Sequence, residues 1–475
     1  MSSIRSILKL LKEPVHGAKG NLLHVVRKTL SRKTKIINLA KEYETPFYLI
    51  DEKKLRDDIQ HFKKNFDTHL PRHQAYYAIK ANYHPVILKT AVEEGLGLDA
   101  SSEREFKLAL RAGAKKILFT GPGKSEKEME LALRHAKKTI INMDSFEELR
   151  RLGKLSARKK TPIRAGIRFF SSHDGAWSKF GIPLGQLGKF WNEAEKYPYI
   201  KLEGLHFHMS LNLRAEKYCS VLRKLADYLK TEFPKKYLSE IKFIDIGGGY
   251  YPDNVEGFYP WSDHYPWTLT GGHFLKLAGD YYGENTHFKN KYYITRAESP
   301  ETMAKKIAQT INRYLKSLVD CKYFSEPGRI ISNNSTSLIM KIADVKDNII
   351  ITDGGINAAG WEFGQHFYFP IINLTHPNLK EKNFRIYGSL CTPRDFWGYY
   401  IFAKKNEVSD IIAIPNYGAY KFTLAQEFIR PIPGTYTLRK NSVSNPKNRG
   451  HKRIEAAGLD AEIEKSLHIV PERLA

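Results

Sequence analysis

The chain has 475 residues, 42% of them hydrophobic and 12% aromatic, which is enough for two or three domains with a buried core and excludes a disordered chain. No apolar run is long enough to cross a bilayer, and the basic N-terminus lacks the continuous apolar stretch of a secretory signal. Lys and Arg outnumber Asp and Glu by 76 to 51, a formal charge of +25, but the basic residues are spread along the chain without helix-turn-helix or zinc-finger spacing, so no nucleic acid is expected as partner. The cysteines, Cys219, Cys321 and Cys391, are scattered and odd in number; they make no disulfide framework, and a reducing, cytoplasmic setting is expected.

Residues 1–45 form a basic extension in which SILKLLK and NLLHVVRKTL have helical apolar spacing, suited to docking on the body of the protein. Strand-like runs then alternate with helical ones: AYYAIK, GLGLDA, KILFTG, TIINMD, IRAGIRF, LEGLHFHM, KFIDIGGG and KYFSEPGR. SEREFKLALRAG and SEKEMELALRHA open with Ser followed three positions on by Glu, a capping box, and the first closes on a glycine. Eight such units predict an α/β fold, a (β/α)8 barrel over 46–329, interrupted at about 251–299 by an aromatic-rich insertion. After Arg329 short strands and turn signals predict a β domain over 330–438, followed by a polar tail, 439–475, with a short helix in it.

Barrel chemistry sits at the C-terminal ends of the strands. Those ends carry Lys80, Asp99, Gly121, Asp144, Arg168, His208, the run Gly247, Gly248, Gly249, and Glu326 with Arg329. A lysine at the end of an apolar strand is costly unless paired, neutralised or covalently used. Taken alone it reads as a side chain reaching solvent; the company at the other strand ends argues otherwise. A triple glycine after strand seven lets backbone N–H groups approach an anion, and Arg329 after strand eight adds a charge-assisted contact, the usual place for phosphate in such barrels. Phosphate plus a strand-end lysine suggests pyridoxal 5'-phosphate held as a Schiff base, with His208 against the ring and Glu326 on the pyridine nitrogen.

These stretches, together with INMDSFEEL, WSKFGIP, GLHFHMS, EPGR, GSLCTPRD and NYGAYKF, resemble the fold-type III pyridoxal-phosphate decarboxylases, among them the diaminopimelate and ornithine decarboxylases, over about residues 45–438. The resemblance implies a barrel followed by a C-terminal β domain, the alanine racemase-like fold, and a homodimer with shared active sites. It implies Lys80 as the Schiff-base lysine, His208 as the stacking histidine and Glu326 as the partner of the ring nitrogen. Gly247, Gly248, Gly249, Gly328, Arg329 and Tyr420 would hold the phosphate, with Arg168 near the cofactor and no metal. Cys391 of the partner subunit would protonate the carbanion.

The substrate half departs from the family pattern. Thr392 stands where an acidic residue usually follows the cysteine, and DGGINAAGWEF lacks the arginine that holds a substrate carboxylate in diaminopimelate decarboxylases. HFHMSLN also disturbs the usual serine contact to phosphate. The expected substrate is therefore an amino acid other than plain diaminopimelate, larger, conjugated or more acidic, met by Thr392, Arg394 and Asp395. The alternatives are an amino-acid racemase of the same fold and a non-catalytic, decarboxylase-like regulatory binder. Glu326 speaks against the first, since racemases of this fold put an arginine at the ring nitrogen. The retained Lys80, Glu326, Arg329 and Cys391 speak against the second.

Overall fold

A computed structural model describes residues 20–70, 72–171, 179–210, 212–252, 256–259, 292–294, 296–361, 367–439 and 442–444. SILKLLK, most of the aromatic insertion and the tail beyond 444, including its expected helix, lie outside the described residues.

All eight expected barrel strands form. They are His73–Ala78, Gly97–Ala100, Ile117–Phe119, Thr139–Met143, Ile163–Phe170, Ile200–His206, Phe243–Asp245 and Lys322–Ser325. Neighbours in the sheet are consecutive in the chain and parallel, and Lys322–Ser325 pairs back onto His73–Ala78, which closes the barrel. Side chains alternate along each strand. Tyr77, Leu98, Ile141, Leu205 and Ile244 face outward into the large core shared with the helices. Tyr76, Leu118, Ile140, Phe243 and Phe324 point inward and pack on one another, with the Phe243 and Phe324 rings stacked 4.7 Å apart. Three large rings fit because the neighbouring inward positions are Gly97, Gly166 and Gly204. A Cβ on Gly97 would run into the Tyr76 ring, and one on Gly204 into Phe243.

The helix caps divide the two expected capping boxes. Glu126–Arg134 has one, with Ser125 and Glu128 each bonding the other's backbone. At Glu103–Arg111 only half forms. Ser102 accepts from the Glu105 N–H, but the Glu105 carboxylate reaches past Ser102 to the Ser101 N–H at 2.7 Å. The helix still ends as expected, on Gly113 with φ +80°.

The second sheet is built around Thr336–Lys346, which pairs with both Ile349–Thr352 and Ile411–Ile414. Glu381–Tyr387, Phe396–Phe402 and Ile371–Asn373 complete a ring of six strands. Phe47–Asp51, counted with the barrel in the sequence division, is a strand of this sheet instead, antiparallel to Thr336–Lys346 and parallel to Gly434–Arg439. Its period-two alternation explains why. Tyr48 enters the core inside the ring, while Phe47 and Leu49 face outward, where the helices Asn21–Leu30 and Lys33–Glu42 cover them with Leu22, Val26, Ile36 and Leu39. The described part of the basic extension thus docks on the protein. Among the described residues no helix is long and apolar enough to cross a membrane.

Candidate active site

One step further along each barrel strand, two residues past the apolar inward layer, the inward positions are Ala78, Asp99, Thr120, Asn142, Arg168, His206, Asp245 and Glu326. A layer of rings and glycines gives way to a layer of ionisable and polar groups. Above it opens a cavity of about 480 Å3, lined by Lys80, Arg168, His206, His208 and Glu326 among others.

Lys80 sits on the turn Ile79–Ala81 that follows the first strand and continues the inward parity of Tyr76 and Ala78. Its side chain is 36% exposed, and Nζ lies 3.6 Å from Asp99 Oδ2. The other Asp99 oxygen accepts the Thr120 hydroxyl. Burial pulls the Lys80 pKa down, but the Asp99 and Glu326 carboxylates more than offset it, so the ammonium is held protonated. Burial and the Glu326 charge push Asp99 up to about 6, against the opposing pull of Lys80.

Glu326 stands beside Lys80, at the end of Lys322–Ser325, the strand that pairs with His73–Ala78. Oε2 is 3.0 Å from His208 Nδ1, which also receives the Gly248 N–H at 3.1 Å. Oε1 comes within 3.3 Å of His206 Nε2 without hydrogen-bond alignment. Glu326 Oε1, both ring nitrogens of His206 and Asp99 Oδ2 are buried without a hydrogen-bond partner. Orphaned polar atoms of this kind are rare in folded interiors and mark a place where a further polar group belongs. Burial raises the Glu326 pKa while Lys80 and Arg168 oppose it. Asp245, on the neighbouring strand, is driven well above the carboxylate range by burial and by Glu326, so the pair carries one charge rather than two. Both histidines are held neutral, His208 by burial and the positive charges of Lys80 and Arg168, His206 by burial and by Arg168 first among its charged neighbours.

Further round the mouth the backbone itself makes the wall. Gly247 and Gly249 have φ of +69° and +90°, and a Cβ on Gly248 would strike the Glu326 carbonyl. The chain can run this close to its neighbours only as glycine. Gly249, Gly328, Arg329 and Tyr420 all face the cavity. Tyr420 adopts a left-handed φ of +66°, and its N–H binds the Ala81 carbonyl at 2.7 Å, while Asn82 Nδ2 binds the Gly418 carbonyl at 3.0 Å. The β domain is thereby fastened to the turn that holds Lys80. Arg168 lies 4.3 Å over the Phe180 ring at the cavity wall.

The remaining expected residues lie elsewhere. Cys391 is exposed, on the loop 388–395, and does not line the cavity of its own chain. Asp395 is buried, and its two oxygens accept the N–H groups of Ile356 and Leu390, each at 2.6 Å. It holds the loop in shape and is turned away from solvent. Thr392 and Arg394 stand beside Cys391 on the same loop, the Arg394 N–H 3.3 Å from the Thr392 hydroxyl.

Sequence reasoning gave no role to His206, Asp245, Glu256 or Lys421. The first two were within reach, because counting back two from His208, and on two from the inward Phe243, gives them by strand parity. Glu256 and Lys421 carry no periodic signal, since the first comes from an irregular segment and the second opens a helix of four residues, Lys421–Leu424.

Residues 55–261 match the family model described as "Pyridoxal-dependent decarboxylase, pyridoxal binding domain". The chain is 25% identical over 429 residues to a diaminopimelate decarboxylase of Aquifex aeolicus, covering 86% of this chain and 90% of that one. It is 26% identical over 434 residues to the diaminopimelate decarboxylase of Methanothermobacter thermautotrophicus, covering 87% and 91%. The crystal structure of diaminopimelate decarboxylase from Helicobacter pylori complexed with L-lysine shares the fold at a TM-score of 0.69, with 23% identity, over 91% of this chain and all of that one (100%). The domain over residues 55–261 is thus that of the pyridoxal-dependent decarboxylases, and with the length of the alignments and the shared barrel-plus-sheet fold the chain is similar over most of its length to pyridoxal-phosphate-dependent carboxy-lyases.

Proposed function

We propose that the protein decarboxylates an amino acid with Lys80 as the amine that holds pyridoxal phosphate and Glu326 facing the pyridine nitrogen. The observation that carries this reading is the Glu326 carboxylate, buried at the wall of the cavity that Lys80 also lines. It would accept an N–H in the cavity, and an acid at that place keeps a ring nitrogen protonated. The other residues fit the same group. His208 stands ready against the ring, and Gly247, Gly248, Gly249, Gly328, Arg329 and Tyr420 suit a phosphate, with Arg168 alongside. Bound there, the cofactor supplies an electron sink for the pair left behind when CO2 departs.

The chain's own residues do the rest. Lys80, paired with Asp99, carries a proton at Nζ beside the reacting end of the cavity. Asp245, held neutral, limits the negative charge beside Glu326. Cys391 of the partner subunit delivers the proton to the α carbon. Its exposure, and its absence from the lining of its own chain's cavity, favour a homodimer in which the loop 388–395 enters the neighbour.

The substrate in this reading is an amino acid other than plain diaminopimelate. Thr392 supplies no carboxylate for a distal ammonium. Asp395 cannot replace it while both its oxygens serve backbone N–H groups. Arg394, exposed on the same loop, favours a larger or more acidic substrate.

The test is CO2 release across free and conjugated amino acids, with Lys80→Ala, Cys391→Ala and an equimolar mixture of the two. Each variant alone should be inactive or nearly so. The mixture should recover activity, because one of its mixed sites pairs an intact Lys80 with an intact Cys391 from the other subunit. An active Lys80→Ala protein would remove the central assignment; a mixture that stays silent would remove the crossing of Cys391.

A further inference from the structure

Behind the cavity wall lies a buried cluster that the chemistry above does not use. Glu256, at the start of the insertion, is 2% exposed, and Lys421, next to Tyr420 in the β domain, is fully buried. Glu256 Oε1 accepts Lys421 Nζ at 2.6 Å, and Oε2 accepts Arg329 Nη1 at 3.0 Å. The Tyr251 hydroxyl adds a third bond to Oε2 at 3.3 Å. The Arg329 guanidinium lies between the rings of Tyr251 and Tyr420, at 4.8 and 5.0 Å. Lys421 Nζ lies 4.9 Å from the Phe369 ring centre. Three segments distant in sequence thus meet through one carboxylate. Arg329 lines the cavity; Glu256 and Lys421 stand behind it.

A buried carboxylate in contact with a guanidinium cancels most of the field that an anion in the cavity would feel from it. A second cation on the far side of the carboxylate restores that field. Glu256 stays ionised here, because Lys421 and Arg329 together outweigh its burial. We propose that Lys421 is a charge-balancing residue, which offsets Glu256 so that Arg329 meets the phosphate of pyridoxal phosphate as a full cation. This rests on the reading that Arg329 faces that phosphate. Glu256 in turn is a positioning residue, fixing one edge of the guanidinium while leaving the rest toward the cavity.

The test is equilibrium binding of pyridoxal phosphate and of pyridoxal to the full chain, followed by protein fluorescence. Lys421→Met should weaken pyridoxal phosphate ~10-fold or more, while pyridoxal, without the phosphate, is little changed. The double variant Glu256→Gln/Lys421→Met should return near the wild-type value, because one cation again faces the cavity uncancelled. Glu256→Gln alone should bind pyridoxal phosphate at least as tightly as wild type, which keeps the proposal open to test should Lys421→Met fail to fold. Equal loss for both ligands would mean that Lys421 only supports the fold and would overturn the proposal. So would a double variant as weak as Lys421→Met, or a Glu256→Gln protein that binds less tightly. Arg329→Met separates the two levels. If it binds pyridoxal phosphate like wild type, the underlying assignment of Arg329 fails as well. If it binds weakly while Lys421→Met does not, only the charge-balancing role fails.

Discussion

In the barrel mouth, Lys80, Asp99, Asp245 and Glu326 stand side by side at successive strand ends and are held by burial and mutual charge. In the loop 388–395, Cys391 and Arg394 are exposed and Thr392 is half-buried, and the loop is held by the buried Asp395 carboxylate together with a few bonds such as Thr392 N–H to the Leu390 carbonyl. The first arrangement is rigid because every strand contributes to it. The second depends on a few hydrogen bonds and is free to change sequence without disturbing the barrel. A site divided this way lets the loop change without disturbing the barrel mouth, which suits the motif matches in the barrel and the departures after Cys391 in the sequence.

The sharpest way to break the comparison is at Glu326. Glu326→Gln keeps the shape of the side chain and removes its charge. The rate of CO2 release should fall by about 10²–10⁴-fold, the scale of removing one positioned proton-holding group, while pyridoxal phosphate still binds. Steady-state kinetics beside an absorbance titration of the cofactor would check it. A variant of near wild-type rate would mean that the mouth is not the tightly coupled half.

Asp99 tests the same half through its charge. Its folded pKa of about 6 lies above the ordinary value of 3.8. A carboxyl raised in the folded state binds more protons folded than unfolded between those two values. Its contribution is therefore fully present below about pH 4 and is lost as pH rises toward 6. On protein freed of pyridoxal phosphate, the wild type should lose roughly 3 kcal/mol across that window from this group. Asp99→Asn should lack that part of the slope. Urea melts of both proteins at pH 4 and pH 6.5 give the comparison, and parallel slopes would show that Asp99 is not strained by its setting.

Beneath the mouth the apolar layer makes a purely steric prediction. Gly204→Ala places a methyl inside the Phe243 ring, and should destabilise the protein by roughly 1–3 kcal/mol, the cost of overpacking a core. Thermal or urea unfolding would measure it. Phe243→Leu in the same chain should return part of the loss if the clash is the cause.

Much of this layer is legible in the sequence, because strand parity is a strict rule. Once Tyr76 and Lys80 share a face, Ala78 must too, and the same count leads from Gly97 to Asp99 and from Gly204 to His206 and His208. The eight strands follow from their apolar runs. The strand Phe47–Asp51 escaped that reading because an apolar run of four residues says that a strand exists and not which sheet takes it. That was decided by Thr336–Lys346, almost three hundred residues away. The half-formed capping box at Ser102 escaped because the sequence fixes the spacing of Ser and Glu but not which backbone N–H the carboxylate will reach. Glu256 and Lys421 were hidden for a related reason. Their meeting depends on how an irregular segment and a four-residue helix of the β domain fold over Arg329, and no period records it.

The smallest effect is expected in the loop, where the comparison is most easily sharpened. Thr392→Asp returns an acidic group to the position after Cys391, where it would meet the distal ammonium of lysine or ornithine. Thr392 is half-buried between the exposed Cys391 and Pro393, so the new pair would act through water and ions. Such pairs contribute about 0.2–1 kcal/mol, which is at most about fivefold in an equilibrium constant. The expected outcome is a rise of that size in kcat/KM for the free diamino acids, carried by KM, with the cofactor's affinity unchanged. Wild-type protein should stay below about 10⁴ M⁻¹s⁻¹ on the same substrates, under the usual enzymatic range. If the single change instead raised kcat/KM a hundredfold, the loop would be deciding substrate choice alone. The absence of an arginine from 353–363 would then matter less than the sequence departure suggests. If it had no effect while Thr392→Ala lowered the rate on the preferred substrate, Thr392 would be binding that substrate through its hydroxyl. The loop would then belong to the site as firmly as the barrel mouth does.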